Sequence, residues 1–435
     1  MIALSLCMAT PRCVIAQGAA KRESAGTLWE SANRAAEAGE LEKSRRLMAR
    51  AVELAPQHPA VLYGLARAAA LAGRATPALS LLDRLAAMGF ARFDTVDTAF
   101  RALAERPEFA PITERFAANR ESIVRSDASF TVAGPDRIPE NIAFDPEAKT
   151  FFVGSLSERT IVRVRPGASP EPFAGPEAGL LRVVGMKVDT ARGRLWVATW
   201  SPVTDSMRLA AGFESDTRLL AFDVESGRRL LTLVPRDSTR SHSFNDLVVT
   251  SIGDVYVTDN DEGSVYRVRA GADTLERFVR PDPSRFTRPN GIALSGDGAV
   301  LYVAFIEGIA RVDLATRRVR YLSVPPTITT SSVDGLYWYN GDLVAVQMAS
   351  AVERVARFVL DSTGSRVLRA DVLERGHPAY RYPTTGVVVD DALYYIANPG
   401  WDRLKDDNTV LTADTPRPTV ILRLPLQRGA ASVPP

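Results

Sequence analysis

The chain has 435 residues, 46 % of them apolar and 24 % charged, which is enough to bury a sizeable core and to form two or three domains. A formal net charge of +2 gives no electrostatic reason to expect nucleic acid or an anionic membrane as the main partner. Cys7 and Cys13 are the only cysteines, so no disulfide scaffold or thiolate metal site can form beyond them, and His58, His242 and His377 share no metal-ligand spacing, which argues against a His-rich zinc site.

Residues 1–24 have an apolar start and a small-residue pair, Val14 and Ala16, as at a secretory cleavage site. A basic n-region is missing, and Pro11 and Arg12 interrupt the apolar run. The expectation is a signal peptide and a periplasmic or secreted protein; a disordered tail on a cytoplasmic protein is the alternative. No later stretch holds about 18 uninterrupted apolar residues, so no membrane span is expected.

Residues 25–125 are rich in Ala, Leu, Arg and Glu, with Gly and Pro only at punctuation points, which predicts helices. Shifted by about 34 residues, Leu28 falls on Leu62, Ala32 on Ala66, Gly39 on Gly73 and Met48 on Leu82. Small residues at Ala32 and Ala66 allow paired helices to approach, the glycines end the first helix of each pair, and Pro56 closes the second. A third pair is read from TVDTAFRALAER and PEFAPITERFAANR, with Pro107 opening its second helix. The period and pattern resemble tetratricopeptide repeats. Such repeats imply a protein partner; a cap packed on the following domain is the equally weighted alternative.

From 126 to 430 the texture changes to short Val/Ile/Leu/Tyr/Phe runs separated by Gly, Asp, Pro and Asn turns. Six units open alike, with PENIAFD, VGMKVD, NDLVVT, NGIALS, DGLYWY and TGVVVD, about 44 to 61 residues apart. Each continues with a second and a third apolar run. This predicts a mainly β fold, a six-bladed β-propeller, preceded by the small all-α helical-repeat domain. The run SFTV at Ser129 is expected to pair as the outermost strand of the last blade and close the ring.

The first strand of a blade lines the central channel, so the residues at its start should converge at one mouth. Those positions are Glu140, Val184, Asn245, Asn290, Asp334 and Thr385. Two carboxylates and two amides suit a hard divalent cation, since calcium takes about six to eight oxygen ligands in irregular geometry. Without a cation, Glu140 and Asp334 would repel each other. Asn290–Gly291 and Asp334–Gly335 also read as turns, but turns do not account for Glu140 at the matching place.

The phrases PENIAFD, HSFNDLVV, RPNGIALS and SVDGLYWY resemble four blade openings of the regucalcin/gluconolactonase (senescence-marker protein) family, over about Pro135 to Leu424. That resemblance implies Glu140, Asn290 and Asp334 as ligands of a divalent metal. It also implies Asn245 beside the metal, holding water or substrate, and Asp334 as the general base. Where the family often has an arginine, this chain has Ser243, preceded by His242, so a gluconolactone-like substrate is put in question. His242, Ser243 and Thr385 are placed around the cation, within reach of substrate; a solvated loop residue is the other reading of His242. Long connections at Trp200–Thr217 and around Trp401 are candidate lids.

These readings combine into a metal-dependent lactonase or related esterase using metal-activated water. The metal would be calcium first, with zinc, manganese and magnesium also accommodated. A G-x-S-x-G elbow is absent from the sequence. The alternative is a non-catalytic ligand-binding propeller that acts as a scaffold, with helical repeats that bind protein.

Overall fold

The computed structural model describes residues 23–91, 97–134, 137–165, 167–202, 215–236, 241–282, 286–348, 353–405, 410–411 and 417–427. The candidate signal peptide and most of the 200–217 connection lie outside the described residues.

Four helices come first: α1 (Ala25–Glu37), α2 (Leu41–Leu54), α3 (Pro59–Leu71) and α4 (Ala75–Ala87). The starts of α1 and α3, and of α2 and α4, are each 34 residues apart (59 − 25 and 75 − 41), the period read in the sequence. Ala32, Ala51 and Ala66 have no exposed surface and seat the pairs closely. Gly39, Gly73 and Gly89 end α1, α3 and α4 with φ of 77°, 71° and 76°, in the left-handed region that glycine takes at least cost. The third pair departs from expectation. Its first member is only a 3-10 turn, Thr98–Leu103, capped by the Asp97 side chain on the Ala99 amide at 3.0 Å; its second is α5 (Phe109–Ala118). Pro107 disfavours helical backbone at Arg106, which stops the turn from lengthening.

Six four-stranded antiparallel sheets follow. Blade one is β2 (Pro139–Asp145), β3 (Thr150–Ser155), β4 (Ile161–Val164) and β5 (Glu171–Ala174). Blade two is β6 (Arg182–Asp189), β7 (Arg194–Pro202), β8 (Ser215–Asp223) and β9 (Arg229–Leu233). Blade three is β10 (Phe244–Val249), β11 (Val255–Asp259), β12 (Ser264–Val268) and β13 (Leu275–Val279). Blade four is β14 (Ile292–Leu294), β15 (Val300–Phe305), β16 (Gly308–Asp313) and β17 (Val319–Tyr321). Blade five is β18 (Val333–Tyr339), β19 (Asp342–Gln347), β20 (Arg354–Leu360) and β21 (Val367–Arg375). Blade six is β22 (Gly386–Val389), β23 (Ala392–Ile396), β24 (Thr419–Pro425) and, from the start of the domain, β1 (Asp127–Val132).

β1 pairs with β24, from Asp127 opposite Arg423 to Val132 opposite Thr419, so the run at Ser129 closes the ring as expected. The first strands of the blades touch in a closed cycle, β2–β6–β10–β14–β18–β22–β2. Apolar clusters fill the gaps between neighbouring sheets; Phe152, Phe222 and Leu195 between blades one and two are each at most 2 % exposed. Each such side chain contributes about 1.5–3 kcal/mol by leaving water. The cycle of first strands, with cores wedged between blades, fixes the mouth.

Candidate functional site at the channel mouth

Four first strands carry a β-bulge at the mouth, and the bulge decides which side chains leave the ladder. Pairing skips Glu140 in β2, Val184 in β6, Asn245 and Asp246 in β10, and Asp334 and Gly335 in β18. A bulged residue is released from the pleat and can be re-aimed. In blades four and six the mouth residues stand just ahead of the strand: Asn290 donates its amide to the Ala304 carbonyl at 2.8 Å, and Thr384 to that of Ile396 at 3.0 Å. Blades four, five and six share a further device. The residue two places before the mouth position is a non-glycine in left-handed backbone: Arg288 (φ 51°) before Asn290, Ser332 (56°) before Asp334, and Tyr382 (61°) before Thr384.

The dipeptides Asn290–Gly291 and Asp334–Gly335 are not turns. A Cβ on Gly291 would strike the Asp334 carbonyl of the next blade, and one on Gly335 the Tyr337 hydroxyl. The glycines are needed because strands crowd together around the axis.

The released side chains meet. The Thr384 hydroxyl lies 2.5 Å from Asp334 Oδ2 and 3.1 Å from Glu140 Oε2, bridging the two carboxylates. Asn290 Nδ2 donates to Asp334 Oδ1 at 2.7 Å, and the Trp401 indole N–H donates to Glu140 Oε2 at 3.0 Å. Glu140 and Asp334 are 4 % and 5 % exposed, nearly sealed from water. Burial and the neighbouring Asp334 charge push the Glu140 pKa well above its ordinary value. Burial raises Asp334 too, against the hydrogen bonds from Thr384 and Asn290. Asn290 Oδ1 is buried without a hydrogen-bond partner among the described residues. Two destabilised carboxylates and an orphaned amide oxygen form an all-oxygen donor set that fits a hard divalent cation.

A second tier lies beneath. Asp246 accepts from the Leu247 amide at 2.8 Å and, across to blade four, from the Ile292 amide at 3.2 Å; burial pushes its pKa up to about 6. Asn141 Oδ1 accepts from the Met186 amide of blade two at 2.9 Å, and the Tyr337 hydroxyl accepts from the Gly386 amide of blade six. Side chains of blades one, three and five thus each hold a backbone N–H of the following blade. Lys187 interacts electrostatically with Asp246, and burial lowers its pKa.

The remaining expected residues fall elsewhere. Asn245 is half-buried in the β10 bulge, next to Gly185 of blade two. Thr385 donates to the Glu140 carbonyl at 2.5 Å and accepts from Asn141 at 3.0 Å, so it anchors the backbone beneath the carboxylate. The mouth position of blade six is Thr384, one residue earlier. Val184 joins the apolar core between blades two and three. His242 is no solvated loop residue. It is 5 % exposed, with Nδ1 2.5 Å from Asp259 Oδ2 and its ring edge-on to Tyr266. Ser243 is buried and gives its amide to Asp259 Oδ1 at 3.0 Å.

Ligand atoms of His242, Asp259 and Glu262 lie within 4.8 Å of one another, a grouping that histidine spacing alone did not show. Their valences are largely committed: Glu262 pairs with Arg277 at 2.7 Å and accepts from Tyr266 at 2.7 Å. Sequence reasoning missed Thr384 and Asp246 as site members and read Trp401 only as part of a candidate lid. Asp246 was legible as the second acid-or-amide of FND. The Trp401 contact with Glu140 had no local signal.

The molecule is therefore a six-bladed β-propeller with an acidic, amide-bearing mouth, carrying an N-terminal helical unit. Residues 201–316, from the outer end of β7 to the turn after β16, match the SMP-30/Gluconolactonase/LRE-like region. This stretch holds Asn245 and Asn290; both carboxylates of the mouth lie outside it. No curated protein sequence matches the chain. Similar solved structures include a gluconolactonase from Xanthomonas campestris (18 % identity, 69 % of this chain and 94 % of that chain, TM-score 0.47). A putative oxidoreductase (glucose dehydrogenase) from Thermus thermophilus is similar at 15 % identity (69 % and 100 %, TM-score 0.45). Virginiamycin B lyase from Staphylococcus aureus is similar at 13 % (71 % and 90 %, TM-score 0.44). Among the described residues no helix is long and apolar enough to cross a membrane.

Proposed function

We propose that the protein is a divalent-cation-dependent hydrolase that opens a lactone or cleaves a related ester. The observation that carries this reading is the bridge Glu140–Thr384–Asp334–Asn290, drawn from four blades, with two buried carboxylates raised in pKa and one amide oxygen unpaired. Glu140, Asn290 and Asp334 would hold the cation. Their oxygen donors suit calcium first, and magnesium, manganese or zinc also. Once bound, such an ion supplies Lewis-acid polarisation of a substrate carbonyl.

The chain's own groups supply the rest. Asp334 takes a proton from the attacking water as the new carbon–oxygen bond forms, and the ester carbon–oxygen bond then breaks. The departing alkoxide takes up that proton, so lactone and water yield a hydroxy acid. Thr384 and Trp401 fix the Glu140 carboxylate by donating to Oε2. Asn245, released from the β10 ladder, would orient water or substrate. The test is a panel of lactones and aryl esters with and without chelator, together with elemental analysis of the purified protein. Hydrolysis that chelator abolishes and calcium restores is the expected result. A metal-free protein that cleaves nothing on the panel would instead support a ligand-binding scaffold.

A further inference from the structure

We propose that the helical unit positions Asp334: a buried relay running from the end of α4 through Arg354 and Gln347 clamps the connector that delivers this carboxylate to the mouth. The proposal rests on the hydrolase reading for the role of Asp334, but the relay is visible without it. Arg354, the first residue of β20, is 3 % exposed, and no carboxylate pairs with it among the described residues. A buried guanidinium without an acid partner is costly and persists only where its hydrogen bonds are well made. Here Nη1 donates to the Met88 carbonyl at the end of α4, at 3.1 Å, and Nε donates to Gln347 Oε1 at 2.8 Å. Gly89 leaves room for that guanidinium, since a Cβ there would strike Nη1. Gln347 is 1 % exposed, and its Nε2 donates to the carbonyls of Thr329 (3.3 Å) and Ser331 (2.9 Å).

Those carbonyls belong to the connector between β17 and β18, and the helical unit holds it at three further points. Gln57 donates to the Val324 carbonyl at 3.2 Å, Arg84 to the Pro326 carbonyl at 2.9 Å, and His58 Nε2 lies 3.5 Å from Ser332 Oγ. Ser332 is the left-handed residue two places before Asp334, and strained backbone of this kind persists when its surroundings over-determine it. Blades four and six make the same turn at Arg288 and Tyr382. Blade five's turn is the one that ends in a mouth carboxylate, and it receives the helical unit's contacts. The helices are thus a cap on the propeller, placed where they set the aim of one catalytic group.

The test uses the full chain. In Arg354→Gln, hydrogen exchange of the amides at 329–334 is expected to rise at least about 10-fold, while blades one to three exchange as in the wild type. Calcium affinity, read by calorimetry, should fall about 10-fold, the usual loss when the support of a ligand is removed. The kcat for a lactone should fall with little change in KM, and Arg354→Lys should recover part of both. The double variant Gln57→Ala/Arg84→Ala, which touches neither core, should show the same pattern more weakly. A folded Arg354→Gln with wild-type exchange at 329–334 overturns the relay; if that variant does not fold, wild-type exchange in the double variant does so. Failure of the wild type to bind calcium removes the hydrolase reading, whereas the exchange result decides the relay independently.

Discussion

Blades three and five open with similar phrases, FND and VDG, and each loses its acid from the ladder through a bulge. The acids end in different work. In blade five the aspartate is the first residue released, and it stands at the mouth against Thr384 and Asn290. In blade three the first released residue is Asn245. The acid comes second, lies one tier deeper, and spends both oxygens on the backbone N–H groups of Leu247 and Ile292. One place in a bulge separates a carboxylate that meets side chains of other blades at the mouth from one that ties two blades together through their backbone.

That contrast can be broken by mutation. The largest effect is expected for Asp334→Asn, which should lower kcat/KM by about 10²–10⁴-fold, the usual range for a general base. Chelated Asp334→Asn should be no less stable than the chelated wild type, because a like charge facing Glu140 has been removed. Asp246→Leu should do the reverse. Leaving the Ile292 amide unpaired costs about 1–3 kcal/mol of stability in denaturant titration, while the folded fraction keeps most of its turnover. An Asp246→Leu protein that unfolds no more easily than the wild type, or one as inactive as Asp334→Asn, would erase the distinction between the tiers.

A smaller, graded effect sharpens it. Glu140, Asp334 and Asp246 are all raised in the folded, cation-free protein, Asp246 to about 6. The folded state therefore binds more protons than the unfolded one, and these groups contribute stability at low pH that is lost as pH rises past about 4 and through 6. Bound calcium offsets the loss. The difference in Tm between calcium-loaded and chelated protein should accordingly widen as pH rises from 4 to 7. Buried His58, whose pKa is lowered to about 4, changes stability in the opposite sense. Its contribution is the same in both samples and drops out of the difference. A constant gap across that range would contradict the assignment.

The architecture was legible because it repeats. Six openings in one register, and a second helix pair 34 residues after the first, left little freedom in fold, and SFTV could be assigned to the last blade because a closed ring requires a final partner for β24. The convergence of Glu140, Asn290 and Asp334 could be read the same way, since each occupies the equivalent place in its unit. What does not repeat was not legible. Trp401 reaches Glu140 from a long connection, Thr384 rather than Thr385 faces Asp334 because β22 starts one residue earlier than alignment with blade four suggested, and His242 turns from the channel to Asp259. The third helical pair failed for a local reason, a proline four residues past a short 3-10 turn.

Calorimetric titration of calcium into chelator-stripped protein, for the wild type beside Glu140→Gln and Asp334→Asn, tests the central claim most directly. The account predicts one cation bound per wild-type chain and loss of that binding in both variants. Absence of binding in the wild type, or undiminished binding in both variants, contradicts it.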